Sequence, residues 1–195
     1  MAVPAQVPAS SEGPAEAPWI TLDADGKRLR LLEAAEAVFA RDGLEAPVPA
    51  IAAAAGAGVG SVYRAFASKD EIVCALAFER LHWVQERSRE ALDQPDAWAA
   101  LEDLLREIAD RQAADGVLGE AFAAAFQRPD LAEPLAAAAA AVDEVLQRVR
   151  ATGALRTDIT TDELRALFTG LRAADAAQPG SGAKLLELVL AGLRA

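Results

Sequence analysis

Four polar side chains in a chain rich in alanine and leucine have types and spacing suited to binding a nucleic acid. Ser61 and Tyr63 carry hydroxyl groups, while Arg64 and Lys69 carry positive charge. A hydroxyl can donate to a phosphate oxygen, and an arginine fork matches either a phosphate or the edge of guanine. These residues follow a corner with the sequence Gly56-Ala57-Gly58. The segment therefore indicates DNA binding, although Arg64 and Lys69 also fit ordinary solvated charges.

The chain lacks the residues on which most catalytic and metal sites depend. His82 is the only histidine and Cys74 the only cysteine. One imidazole excludes a paired-histidine metal site, and one thiol excludes both an intramolecular disulfide and a cysteine metal cluster. Carboxylate pairs such as Glu102-Asp103 fit solvated helix faces. We therefore expect no enzyme activity, no catalytic residue, no cofactor and no bound metal.

Two short helices joined by a tight turn would position the polar residues. Prolines at the start and Gly56 at the end predict one helix near residues 48–56. A second helix, over about 59–66, places Val62 and Phe66 together on an inner face. Its outer face is then free to enter a DNA major groove about 12 Å wide, where Gly60 allows close backbone approach. This pattern predicts a helix-turn-helix unit.

The remaining periodicity predicts an all-α protein of about nine helices and no strand. One helix precedes the turn over 27–41, and Ser68-Lys69-Asp70-Glu71 fits a capping box that opens a long helix to about residue 92. Later helices are expected over 95–114, 118–125, 130–152, from the capping box at Thr160, and after Gly182. We predict a disordered tail (1–24), a three-helix DNA-binding domain (25–70), and a helical bundle for ligand binding and dimerisation (71–195).

Charge is unevenly distributed along the chain. The formal net charge is −11, whereas residues 27–71 carry six basic and six acidic side chains. An acidic chain does not suit a general nucleic-acid coat, so contact with DNA must be concentrated in the neutral segment. No secretory signal or membrane span is evident. We therefore expect a soluble, cytoplasmic protein that does not bind membranes.

Residues 32–76 resemble the TetR family of bacterial transcription regulators. The resemblance lies in AAEAVFARDG, IAAAAGAGVGSVYRAF and SKDEI. It implies an N-terminal DNA-binding domain, a divergent ligand-binding domain, and a homodimer on a palindromic DNA operator. It further implies a repressor that an unidentified small-molecule ligand releases from DNA.

The resemblance also implies roles for individual residues. It places Val59, Gly60 and Ser61 at the groove, Tyr63 and Lys69 at phosphates, and Arg64 at a phosphate or a base. The chain departs from the family pattern where Ala65 replaces a frequent histidine and where the first helix of the motif is nearly all alanine. These departures predict weak phosphate anchoring, which Lys27, Arg28 and Arg30 would compensate from an arm.

The C-terminal half offers candidates for ligand binding and dimerisation. Ligand-pocket candidates are His82, Trp83, Trp98, Phe122 and Phe126, although aromatic residues at helical spacing fit an ordinary core as well. The expected dimer interface consists of Leu164, Phe168, Leu171, Leu186, Val189, Leu190 and Leu193 in a four-helix contact. The alternative function is a TetR-like helical ligand-binding or interaction protein that has lost operator binding.

Overall fold

The computed structural model describes residues 18–116 and 118–194, and the statements below concern these residues. Residues 1–17 of the predicted tail lie outside the described residues. The last part of that segment is described: Trp19–Thr21 forms a short 3-10 turn, and Trp19 packs against the N-terminal core. The first long helix then begins at Ala24, with the Asp23 carboxylate accepting from the Gly26 backbone N–H at 2.8 Å.

Nine α-helices and two short 3-10 turns form the regular structure of the described residues, which confirms the all-α prediction. The α-helices are α1 (Ala24–Asp42), α2 (Val48–Ala54), α3 (Val59–Ala65), α4 (Lys69–Asp93), α5 (Ala97–Asp115), α6 (Leu118–Ala125), α7 (Ala132–Ala151), α8 (Thr161–Ala177) and α9 (Ser181–Leu193). An isolated antiparallel bridge joins Leu155 to Arg194. None of the helices in the described ranges has the length and hydropathy needed to cross a bilayer.

The first three helices enclose a small core that fixes the corner between α2 and α3. Phe39 from α1, Ile51 from α2 and Val62 from α3 are almost fully buried. Gly56 makes the corner with a φ of +66°, a left-handed conformation that glycine adopts without steric cost. Because these residues lock α3 from the inside, its other face is held in a fixed orientation.

The start of α4 differs slightly from the predicted capping box. The Ser68 hydroxyl accepts from the Glu71 backbone N–H at 3.2 Å, as expected. The Glu71 carboxylate, however, accepts from the Ala67 N–H at 2.8 Å, one residue before the N-cap. The first bond satisfies a backbone donor that the first helical turn leaves unpaired, and the second satisfies the backbone donor of Ala67 just before the helix. The helix therefore begins sharply, a few residues after α3.

Two hydrophobic cores lie along the molecule. The N-terminal core joins α1–α3 to the start of α4 and continues into α6 through Leu118 and Phe122. The C-terminal core is formed by residues of α4, α5, α7, α8 and α9, with Leu101 and Leu146 fully buried. Helix α6 therefore shares a hydrophobic core with the helix-turn-helix unit.

Candidate nucleic-acid interface and ligand cavity

Helix α3 presents a solvent-facing surface that the rest of the fold holds in place. Val62 and Phe66 are buried on its inner side, as the sequence predicts. The Tyr63 side chain is 55% exposed although it is aromatic. The exposed positions of the outer face are Val59, Gly60, Tyr63 and Arg64, with Ser61 half-buried beside them. This arrangement suits insertion into a groove, because the side chains that would meet DNA are not needed for the core.

Nothing among the described residues requires glycine at position 60. A Cβ atom placed there would meet a single neighbour, Nη1 of Arg64, at 3.9 Å. Its backbone is ordinary helix, in contrast to the left-handed Gly56. Glycine in a helix is destabilising relative to alanine, so its presence at this exposed point suits close approach of an external backbone.

Arg28 lies beside α3 and holds its C-terminal end. Its Nη1 donates to the Ala65 carbonyl at 3.1 Å, and its guanidinium lies 4.4 Å from the centroid of the Phe66 ring. An arginine at the C-terminal end of a helix satisfies a free carbonyl and complements the helix dipole. The structure thus gives Arg28 a role in positioning α3, and its predicted contact with DNA stays a prediction.

Lys69 also has a partner within the protein. Its Nζ donates to the carbonyl of Leu44 at 2.6 Å, which ties the loop between α1 and α2 to the start of α4. On the exposed surface, Arg64 Nη2 donates to the Ser61 hydroxyl at 3.2 Å. An ammonium has three donors, so Lys69 can donate to the Leu44 carbonyl and still reach a phosphate. Its role at a phosphate stays a prediction.

A cavity of about 260 Å³ lies between α4, α5, α6, α7 and α8. Trp83, Phe122 and Phe126 line it, so three of the five ligand-pocket candidates share one site. His82 lies on the surface, with Nδ1 3.7 Å from the Glu86 carboxylate. Trp98 is 7% exposed in the C-terminal core, away from the cavity. Those two residues fit the alternative interpretations of a surface histidine and a core aromatic.

Sequence reasoning missed the charged end of the cavity. Arg80 on α4 forms a short ion pair with Asp115, the last residue of α5, and lies 3.5 Å from the Glu36 carboxylate of α1. Asp115 is buried, and the loss of hydration raises the pKa of its carboxyl to about 6, with Arg80 opposing the shift. An acidic residue at a helix C-terminus interacts unfavourably with the helix dipole. The position of Asp115 at the end of α5 was therefore the signal in the sequence that could have identified this site.

Desolvation by burial lowers the pKa of Arg80, and the negative charge of Asp115 opposes this shift. A guanidinium nevertheless stays charged in proteins. Its Nη1 atom is buried and has no hydrogen-bond partner among the described residues. The cavity therefore has a largely apolar wall, with the ion pair of Arg80 and Asp115 at its polar end.

Most of the expected dimer-face residues lie in the chain's own core, and their place in a dimer contact stays a prediction. Five of its leucines are no more than 5% exposed in a single chain and pack in the chain's own core: Leu164, Leu171, Leu186, Leu190 and Leu193. Phe168 and Val189 are half-buried against the same core, and Leu164 and Phe168 line the cavity. Periodicity identified an apolar stripe without showing whether it faces the chain's own core or a partner. The outward face of α9 instead exposes Leu185 and Leu188.

These elements define a class of protein: a helix-turn-helix unit with an exposed second helix, joined to a helical domain that holds an apolar cavity. Family comparison gives the same result. Residues 31–76 match the model of the bacterial regulatory proteins of the tetR family. Residues 96–195 match the C-terminal domain of SbtR-like transcriptional regulators. The chain belongs to the tetR family of bacterial transcriptional regulators, which confirms the resemblance seen in the sequence.

Solved structures support this assignment. A TetR regulator from Mycobacterium vanbaalenii is 29% identical with a TM-score of 0.65, covering 87% of this chain and 95% of that one. The regulator SCO0520 from Streptomyces coelicolor is 26% identical with a TM-score of 0.69, covering 86% and 98%. The ketosteroid transcriptional regulator KstR2 of Mycobacterium tuberculosis is 26% identical with a TM-score of 0.60, covering 89% and 97%. No curated protein sequence gives a significant match.

Proposed function

We propose that the protein is a homodimeric repressor that binds a palindromic operator through α3 and is released by a small molecule in the cavity. The observation that carries this proposal is the exposed outer face of α3, held from inside by Val62 and Phe66. The proposed DNA contacts are Val59, Gly60, Ser61, Tyr63, Arg64, Lys69 and Arg28. We assign residues 25–70 to DNA binding and 71–195 to ligand binding and dimerisation, in a cytoplasmic protein.

A second copy of the chain supplies the second recognition helix. Two α3 helices can occupy successive major grooves only if a dimer holds them about 34 Å apart. The outward faces of α8 and α9 suit the dimer contact: Leu188 is 71% exposed, and the neighbouring face of α8 carries the small exposed residues Ala166, Gly170 and Ala173. Small residues allow close helix packing, while exposed leucines favour burial.

The polar contacts at the cavity suggest how a ligand could act on DNA binding. Arg80 lies between Glu36 of the DNA-binding domain and Asp115 of the ligand-binding domain. Phe122 lines the cavity and belongs to the N-terminal core. A ligand that prefers one arrangement of these groups shifts the equilibrium by its difference in affinity for the two states. The neighbour described as a ketosteroid regulator supports control by a small molecule.

Selection from a random-sequence DNA library tests the proposal. The protein should enrich a palindrome, and Tyr63→Ala should weaken binding to all sequences alike because a phosphate contact carries no sequence information. Val59→Ala should alter the preferred sequence. Phe78→Ala is the matched control, because it removes another exposed aromatic, on α4, and should leave binding unchanged.

Loss of operator binding in a folded dimer would contradict the proposal. The protein would then match the alternative, a ligand-binding or interaction protein whose helix-turn-helix serves only as scaffold. Two features would explain such a result. Residues 27–71 carry equal numbers of acidic and basic side chains, and Lys69 and Arg28 already have partners within the protein.

A further inference from the structure

Two of the arginines that line the cavity are neutralised by carboxylates of the protein itself. Arg80 pairs with Asp115 and lies 3.5 Å from the Glu36 carboxylate. Arg165 pairs with Asp162, and its side chain is 60% exposed. A charged ligand would lose hydration at these positions without meeting an unpaired opposite charge. The ion pairs therefore favour an uncharged ligand.

Arg172 is the third arginine of the wall, and it lies on α8 at the open side of the cavity. It shares one face of α8 with Arg165 and Thr169, which are both exposed. Its Cδ atom lies 3.0 Å from the point that a Cβ atom on Gly119 would occupy, so its aliphatic stem packs on α6. Long arginine side chains bury the stem and keep the charged head in water. The charge of Arg172 therefore belongs to the rim of the cavity.

The interior of the cavity is apolar and small. Trp83 and Phe126 are half-buried in the wall and add aromatic surface. The volume of about 260 Å³ lies just below the range typical of drug-sized ligands. Burial of hydrocarbon against such a wall is favourable. Six buried side chains of the wall are apolar: Leu81, Leu105, Phe122, Ala138, Val142 and Leu164.

Gln112 adds to this wall a neutral polar group whose orientation is fixed. Its Nε2 donates to the Phe168 carbonyl of α8 at 3.0 Å. Because a carbonyl only accepts, this bond decides which end of the amide faces Phe168. Among the described residues none donates to Oε1 of Gln112, and this atom is not one of the buried atoms without a partner, so it keeps accessible surface. An accessible acceptor on the cavity wall matches a ligand hydroxyl group.

We propose that the cavity takes a small uncharged alcohol or phenol with a hydrocarbon body, its hydroxyl group donating to Oε1 of Gln112. This inference rests on the proposed ligand control and adds the chemical class of the ligand and the residue that selects it. The hydrocarbon body lies against Trp83 and Phe122. Because Gln112 also bonds to the backbone of α8, the hydroxyl group is bound at a point where α5 and α8 are joined.

Calorimetric titration of the full-length protein near pH 7 tests this inference with four probes of one skeleton. They are 4-phenylbutan-1-ol, its methyl ether, 4-phenylbutanoate and 4-phenylbutylamine, which supply a donor, no donor, an anion and a cation. The alcohol should bind at least about tenfold more tightly than either ion, because the ions lose hydration without gaining a counter-charge. It should bind about fivefold more tightly than the ether, the factor expected for one neutral hydrogen bond.

Variants locate the effect at Gln112. Gln112→Met keeps the length of the side chain without its amide, so alcohol binding should weaken about fivefold while ether binding is unchanged. Gln147→Met is the matched control, because Gln147 is exposed on α7 and bonded to Asp143, and all four affinities should stay the same. Thr161→Val removes another hydroxyl of the wall and should preserve the preference for alcohol over ether.

A second variant covers the case in which circular dichroism shows that Gln112→Met does not fold. Gln112→Asn withdraws the amide by one methylene and should reduce the same preference.

Three results would overturn the inference. Tighter binding of the acid or the amine than of the alcohol would assign the cavity to a charged ligand. A wild type without preference for alcohol over ether, or a preference that survives Gln112→Met, would remove Gln112 from the site. The third result is no binding of any of the four probes at millimolar concentration. Operator binding is measured on the same protein, so a failure of the ligand class is distinguished from a failure of the regulator proposal.

Discussion

The substitution Gly60→Ala should change the stability of the fold and the affinity for DNA in opposite directions. The added methyl group meets one neighbour, Arg64 Nη1, at 3.9 Å, so the free protein accommodates it. Replacing glycine by alanine in a helix removes an entropic cost, and we expect the free energy of unfolding to rise by about 0.5–1 kcal/mol. In a chain of 195 residues this raises Tm by about 1–4 °C.

The same change should weaken operator binding, because the methyl group occupies space that we assign to the DNA backbone. A loss of about 1 kcal/mol at each of two recognition helices makes about 2 kcal/mol in the dimer, or roughly 30-fold in Kd. Thermal unfolding and fluorescence anisotropy with a labelled operator measure the two effects. A variant with raised Tm and unchanged Kd would refute the assignment of Gly60 to the groove.

Three further changes test other parts of the account. Leu188→Asp should convert the dimer to a folded monomer by light scattering, whereas the buried Leu186→Ala should cost about 2–5 kcal/mol of stability in chemical denaturation. Lys69→Met should weaken binding to every DNA sequence alike in anisotropy titrations. Burial raises the pKa of Asp115 to about 6 from 3.8, so the folded state keeps a proton that the unfolded chain releases. Stability relative to Asp115→Asn should fall by up to about 3 kcal/mol between pH 4 and 6 and level off above.

The outcomes that would contradict these predictions are specific. A Leu188→Asp dimer of normal affinity would remove α9 from the interface. A change in sequence preference by Lys69→Met would show base contact in place of phosphate contact. Equal pH profiles of wild type and Asp115→Asn would show that Asp115 is not desolvated in the folded protein.

Local signals in the sequence were sufficient to predict the helices. The bounds of α6 at Leu118 and Ala125 follow from apolar spacing. The corner at Gly56 follows from the left-handed backbone conformation that glycine adopts readily. The inner face of α3 was also predictable, since Val62 and Phe66 lie four residues apart. These features depend on residues close together in the chain.

Contacts between distant segments were not predictable in the same way. Arg80 and Asp115 are 35 residues apart, and only the packing of α4 against α5 brings them together. Lys69 bonds to a backbone carbonyl at Leu44, which no side-chain pattern can indicate. The apolar stripe of α9 has the same periodicity whether it faces its own core or a partner, so the sequence alone could not show that Leu186 is buried within its own chain.

Incubating the purified protein with fragments of its own genome, at a stated salt concentration, and sequencing what it retains tests the central claim most directly. Recovery of a palindromic site is the expected result. With roughly six phosphate contacts per dimer, the affinity should fall with salt at a log–log slope near −5. Retention of no fragment at low salt, by a folded dimer stripped of bound small molecules, would contradict the claim that α3 binds an operator.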